Sequence, residues 1–323
     1  MSNQNVLLHE PLYPDVGASS IELALFASRP LRRLKHLAHF GAGSLISSVV
    51  HSRFEHTVGV WKLTAYFFPE NIELRIAAIL HDIGHLPFSH AVEKILDFNH
   101  HQLTVQYIKE KEINSILING GIDPEQIINL LNMDSALTGI GNNLGIDHLD
   151  SFLRDTYMAG KLDVLPKNVL KKLACSQHGI ETDEETGLYL LQLILADHQL
   201  FLFPKMVGID RLLAEAIRCH WKEVGSETDR FDFTRMIDAD VVNILKKSPS
   251  TKANKIINIV SYQPNRIIIY PKQSGKGYPI RVRKMYRKSP LCNGRLLADY
   301  NEQAQYIIDK LTSLTFEMEV AFD

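Results

Sequence analysis

The stretch Ile72–His90, IELRIAAILHDIGHLPFSH, decides the reading of this chain. Its opening half is apolar on several faces, and Asn71 stands where an N-cap belongs, so the spacing predicts a helix running on to His85 and stopped by Pro87. A helix that is apolar all round is ordinarily buried. His81, Asp82 and His85 therefore arrive where burial is costly unless they find partners. Neutral imidazole and ionised carboxylate are ordinary ligands of Zn, Fe, Mn, Co or Ni, and a bound cation would answer that cost. From this pair alone, a metal-free hydrogen-bonded His–Asp couple is the plainer alternative.

The flanking segments favour the metal. Upstream, HSRFEHTVGVWKLTAYFF (residues 51–68) keeps helical spacing up to Pro69, and Arg53 and His56 share one face. Downstream come His90, His100 and His101. Seven of the 14 histidines fall between His51 and His101. Core packing does not need such a cluster, whereas a metal site with phosphate-binding neighbours does. No HExxH zinc-protease pattern is present. Farther on, DHLDSFLRD (147–155) places Asp147, Ser151 and Asp155 along one helical stripe. Asp150 and Arg154 form an i,i+4 pair beside it, readable as a structural ion pair. Asp155 reads as a residue that either holds a ligand in place or contacts substrate.

Most of the remaining chain is also helical in pattern: 31–40, 122–132, 190–205, 208–221, 231–247 and a final helix over 299–316. One region departs from it. NRIIIYP (265–271) and YPIRVRKMY (278–286) read as short strands around a Gly-containing turn. The expected fold class is all-α, mainly helical, with a small β-hairpin-like excursion in the C-terminal third. Two units are expected, a helical catalytic domain over 1–240 and a basic subdomain over 241–323.

A hydrophobic fraction of 45% and a charged fraction of 22% belong to an ordinary globular chain. No run of eighteen apolar residues and no signal-peptide pattern occur, so neither a membrane span nor secretion is expected. Cys175, Cys219 and Cys292 form no CxxC pair, which argues against a disulfide framework or thiolate zinc site and points to a reducing cytoplasm. The net charge of -2 conceals an asymmetry. Residues 241–298 hold 13 Lys or Arg and no Asp or Glu, leaving 22 basic and 37 acidic residues elsewhere. Such a segment suits an anionic partner, a solvated face or a subunit contact. Arg281, Arg283, Lys284, Arg287 and Lys288 are candidates for a second anion site, with Arg281 and Arg283 on one side of a strand. Nucleic acid is a less favoured partner, because no zinc finger, RNP-like motif or helix-turn-helix is evident.

Taken together, HSRFEHTVGV (51–60), HDIGHLPFSH (81–90), HHQLT (100–104) and DHLDSFLRD with its trailing YMAG resemble the HD-domain phosphohydrolases, particularly the dNTP triphosphohydrolase branch. The resemblance covers roughly residues 20–240. It implies a divalent metal held by His56, His81, Asp82 and Asp147: Mn, Fe, Co, Ni, Zn or Mg, with a transition metal favoured. It also implies phosphate contacts from Arg53, His85 and His100, with His100 in the acid–base apparatus and His90 as a second-line contact. Relatives of this kind cleave a deoxynucleoside triphosphate into deoxynucleoside and triphosphate, and they form dimers or higher assemblies, so a nucleotide partner and a homo-oligomer are implied. Four positions depart from the family pattern. His101 replaces a common Glu, His148 a common Arg or Lys, Ser151 a sugar-packing Tyr, and His36 the Gln of a Lys-Gln-Leu element. These departures leave open a monophosphate or other phosphorylated substrate, or a nucleotide- or nucleic-acid-binding regulator with weak turnover.

Overall fold

The computed structural model describes residues 8–225, 228–283 and 285–323. Helices carry most of the chain, as the periodicity predicts. The elements that build the site are α1 (Arg53–Phe67), α2 (Ile72–Leu80), α3 (His100–Lys109) and α4 (Ile146–Met158). They are followed by α5 (Glu184–Phe201), α6 (Pro204–Val224), α7 (Thr251–Tyr262) and α8 (Glu302–Ser313). Side-chain caps set several of these starts. Ser52 and Glu55 form a reciprocal capping box on α1, and Asn71, Asn99 and Asp183 accept backbone N–H groups at the starts of α2, α3 and α5. At its far end α6 stops where Gly225 turns left-handed, at φ 66°.

Two apolar cores result. The first joins α1, α2, α4, α5 and α8, with Trp61, Ile79 and Leu153 fully enclosed. The second joins α6, α7 and a small sheet to Leu86 and Phe88. Ile83 belongs to the first core and Leu86 to the second, so the segment bearing His81, Asp82 and His85 crosses between them. Residues beyond 240 enter both cores.

The strands are β1 (Leu173–Ser176), β2 (Gly179–Thr182), β3 (Ile267–Pro271), β4 (Tyr278–Val282), β5 (Leu291–Cys292), β6 (Arg295–Leu296) and β7 (Phe316–Phe322). β3 and β4 form where expected but do not pair with each other. β7 runs antiparallel between them, giving the order β3-β7-β4. The expected final helix is accordingly shorter, running Glu302–Ser313, and its expected last residue, Phe316, opens β7. The β1–β2 hairpin has no counterpart in the helical reading of the sequence. No single described helix is long and apolar enough to cross a membrane.

Candidate metal centre

The predicted 72–85 helix ends early, at Leu80. His81 turns its Nδ1 onto the Ala78 carbonyl at 2.8 Å, and residues 81–84 form a turn. Gly84 lets that turn lie against α3, since a Cβ there would sit 2.4 Å from the His100 carbonyl oxygen and 2.3 Å from the Thr104 nitrogen. Leaving the helix frees His81 and Asp82 to face α1 and α4 together.

Four side chains meet there. His56 Nε2 lies 3.1 Å from Asp147 Oδ1, 3.3 Å from His81 Nε2 and 3.7 Å from Asp82 Oδ2. His81 Nε2 lies 3.5 Å from Asp82 Oδ1 and 3.7 Å from Asp147 Oδ1. Donors held about 2.1 Å from one cation sit about 3.0 to 3.4 Å apart, so the spacing matches one coordination sphere. The second nitrogen of each ring is already committed. His56 Nδ1–H donates to Asp150 Oδ2 at 2.7 Å, and His81 Nδ1–H donates to Ala78, so both Nε2 lone pairs point inward. Two facing lone pairs beside two carboxylates need a cation or a proton between them, and the donor set fits a divalent transition metal.

Asp150 and Arg154 are the ion pair read from their spacing, with Nε and Nη2 at 3.1 and 2.9 Å from the carboxylate, but the pair also orients His56. Arg154 further binds Glu10 at 2.7 Å. Gly59 makes room for this arrangement, because a Cβ there would lie 2.0 Å from Asp150 Oδ1. Burial alone would raise the Asp150 pKa, but Arg154 and His56 hold it down at about 2. Burial likewise opposes charging His56, yet Asp147 and Asp150 raise it to about 9. Asp82 is kept well below the ordinary carboxylate range, against the pull of burial, by His81, His85 and Arg53.

Other candidates surround these four in a cavity of about 580 Å³ lined by Arg53, His85, His90, His100, His101, His148, Ser151 and Asp155. Arg53 Nη1 binds Asp82 at 2.7 Å, and its Nε binds Ser89 at 2.8 Å. His85 Nε2 is 3.1 Å from Asp82 and stacks on His100 at 4.3 Å. The polar side chains of Asp147, Ser151 and Asp155 follow one another along the wall, as their helical stripe predicts.

Two expectations change. His36 is exposed at the end of a short turn and lies outside the cavity, whereas His39 lines it. Of the four described basic candidates for a second anion site, three already make contacts within the chain. Arg281 and Arg283 do share a side, but both meet Glu317 of β7, at 3.5 and 3.4 Å. Lys288 is turned onto the carbonyls of Thr138 and Gly141, each at 2.9 Å. Arg287 is exposed, and Lys284 lies outside the described residues.

Sequence reasoning missed Glu93, His39, Asp197, His198 and Tyr286. Glu93 binds His100 Nδ1 at 2.7 Å and His90 at 3.4 Å, and the HAVE spacing offered a signal for it. Asp197–His198 is a second polar pair inside an apolar helix, the same signal as His81–Asp82. Tyr286 packs its ring 4.8 Å from His148, and no local pattern announces that contact.

Known proteins carry related sequences and shapes. The HD domain family model matches residues 53–136. An uncharacterized protein of Mycoplasma pneumoniae is 32% identical over 46% of this chain and 41% of its own length. A deoxynucleoside triphosphate triphosphohydrolase SAMHD1 homolog of Dictyostelium discoideum is 28% identical over 41% of this chain and 32% of its own. A metal-dependent phosphohydrolase of Cordyceps militaris is 25% identical over 50% of this chain and 48% of its own. The matches thus span less than half the length of these three relatives. A solved phosphohydrolase from Bacteroides thetaiotaomicron superposes with a TM-score of 0.71 at 14% identity, over 97% of this chain and 98% of that one, a likeness of fold. Motif, converging donors and family match agree that residues 53–136 carry an HD domain, and the chain is similar to HD-domain phosphohydrolases.

Proposed function

We propose that this protein hydrolyses a nucleotide phosphate ester with a divalent metal held by His56, His81, Asp82 and Asp147. The observation that carries the proposal is the pair of inward-facing Nε2 atoms, 3.3 Å apart and flanked by two carboxylates. When bound, the ion lowers the pKa of water and neutralises charge on phosphoryl oxygens.

The chain's own residues do the rest. Arg53, His85 and His90 offer donors to the phosphoryl oxygens from one wall of the cavity. Glu93 orients His100, so His100 is placed to pass a proton to the leaving oxygen. His148, Ser151, Asp155 and Tyr286 lie toward the other end, where the nucleoside part of a substrate would rest. A volume near 580 Å³ admits a nucleotide.

The specific activity proposed is dNTP to deoxynucleoside and triphosphate, in line with the motif resemblance and the name of the Dictyostelium relative. The departures at His101, His148 and Ser151 favour a second reading, a monophosphate or other small phosphate ester. The proposal extends to a reducing cytoplasm, supported by three unpaired cysteines, and to a homo-oligomer, supported by the resemblance alone. The test incubates the Mn²⁺-loaded full chain with dNTPs, NTPs and nucleoside monophosphates and resolves products by mass. Triphosphate from a dNTP is expected. Orthophosphate from a monophosphate would transfer the assignment to the second reading, and no metal-dependent product from any of them would sink both. Light scattering on the eluting protein tests the oligomer.

A further inference from the structure

Beside the four proposed ligands lies a second group, of which the proposed phosphohydrolysis uses only Asp155, at the nucleoside end of the cavity. The loops bearing His39 and His51 are joined by a short antiparallel bridge, with the His39 N–H donating to the His51 carbonyl at 3.0 Å. This pairing stacks the two rings at 4.7 Å. Asp155 reaches them from α4, with Oδ1 3.4 Å from His51 Nε2 and Oδ2 3.9 Å from His39 Nε2. Asp197 of α5 closes the group against Asp155. His51, Asp155 and Asp197 are 2%, 3% and 7% exposed.

What sets this group apart is its lack of partners. Both ring nitrogens of His51, His39 Nδ1, Asp155 Oδ1 and Asp197 Oδ1 are buried without a hydrogen bond. Each such atom is costly to bury unless something answers it. The nearby guanidiniums make no hydrogen bond to these atoms: Arg53 Nε and Nη1 hold Ser89 and Asp82, and Arg154 holds Asp150 and Glu10. Burial lowers both imidazole pKa values and raises those of both carboxyls, Asp197 to about 7.

We propose that His39, His51 and Asp155, with Asp197 packed behind Asp155, form a second divalent cation site in the same cavity. The donor atoms of His39, His51 and Asp155 all lie within 4.8 Å of one another. Two nitrogens and carboxylate oxygens select Mn, Fe, Co or Zn over Mg and Ca. Such a cation would partner one nitrogen of each ring and one oxygen of Asp155. Binding can be measured without turnover, so this site stands or falls separately from the hydrolase assignment.

The experiment strips the full chain with a chelator, dialyses it to equilibrium against Mn²⁺ and counts ions per chain by mass spectrometry. Circular dichroism melting checks that each variant is folded. Wild type is expected to bind about two ions, His51→Gln and Asp155→Asn about one each, and Asp147→Asn about one. His39→Gln, at the most accessible position, repeats the measurement should a buried variant fail to fold. A single ion in wild type that survives His51→Gln and is lost in Asp147→Asn would overturn the second site, and the group would then bind substrate hydroxyls instead. Two ions persisting in both His51→Gln and His39→Gln would overturn it equally. A single ion lost in His51→Gln and kept in Asp147→Asn would instead support this site and remove the first.

Discussion

Replacing Asp150 by Asn tests whether the pair it forms with Arg154 serves the metal. The carboxylate is fully enclosed and accepts from His56 Nδ1 at 2.7 Å and from Arg154 at 2.9 and 3.1 Å. Its pKa of about 2, against an ordinary 3.8, amounts to about 2–3 kcal/mol of stabilisation at neutral pH by linkage. The folded value is depressed, so that contribution is complete above pH 4 and disappears as pH falls from about 4 to about 2. Asn retains one oxygen acceptor but loses the charge, leaving Arg154 with Glu10 alone. Urea unfolding of the metal-free chain at pH 7 should therefore show a loss of about 2–4 kcal/mol that narrows on acidification. Without a carboxylate behind it, His56 becomes a poorer donor, and Mn²⁺ affinity should fall about 10- to 100-fold, or about 1.4–2.7 kcal/mol. Titration calorimetry reads the second number. A variant as stable as wild type and equal in Mn²⁺ affinity would refute the claim that Asp150 orients a ligand.

Gly59→Ala drives a methyl into Asp150 and Arg154 and should cost about 2–3 kcal/mol in urea unfolding, despite alanine's better helix propensity. Removing metal should lower Tm, since an ion present at 100 times its Kd contributes about 2.7 kcal/mol, and calorimetric scans with and without chelator would show it. His56 titrates near 9 without metal and must lose its proton to ligate. Mn²⁺ affinity should therefore rise from pH 6 to 9 with protons released, which titrations in buffers of different ionisation enthalpy would detect. Glu93→Gln should lower kcat about 10- to 100-fold with little change in KM, because it disarms His100 without removing a phosphate contact. A KM rise at constant kcat would place Glu93 in binding instead.

The sequence by itself determined the class of fold and the chemistry at its centre. Periods of 3.6 marked the helices, and His81–Asp82 announced itself as polar residues in an apolar context that only a partner could justify. The stripe Asp147–Ser151–Asp155 was legible for the same reason, since helical geometry alone fixes which side chains share a face. Tertiary structure decided what periodicity cannot encode. Helix α2 ends at Leu80 because α3 packs against Gly84. The strand 267–271 pairs with 316–322 rather than with its neighbour, a choice made by long-range packing. The charges of Arg281 and Arg283 meet Glu317, and His39, not His36, enters the cavity. The stacking of His39 on His51 and the approach of Asp197 to Asp155 join residues 12 and 42 positions apart. Nothing in local propensity records such meetings, because their energy comes from burial and contact in the assembled chain.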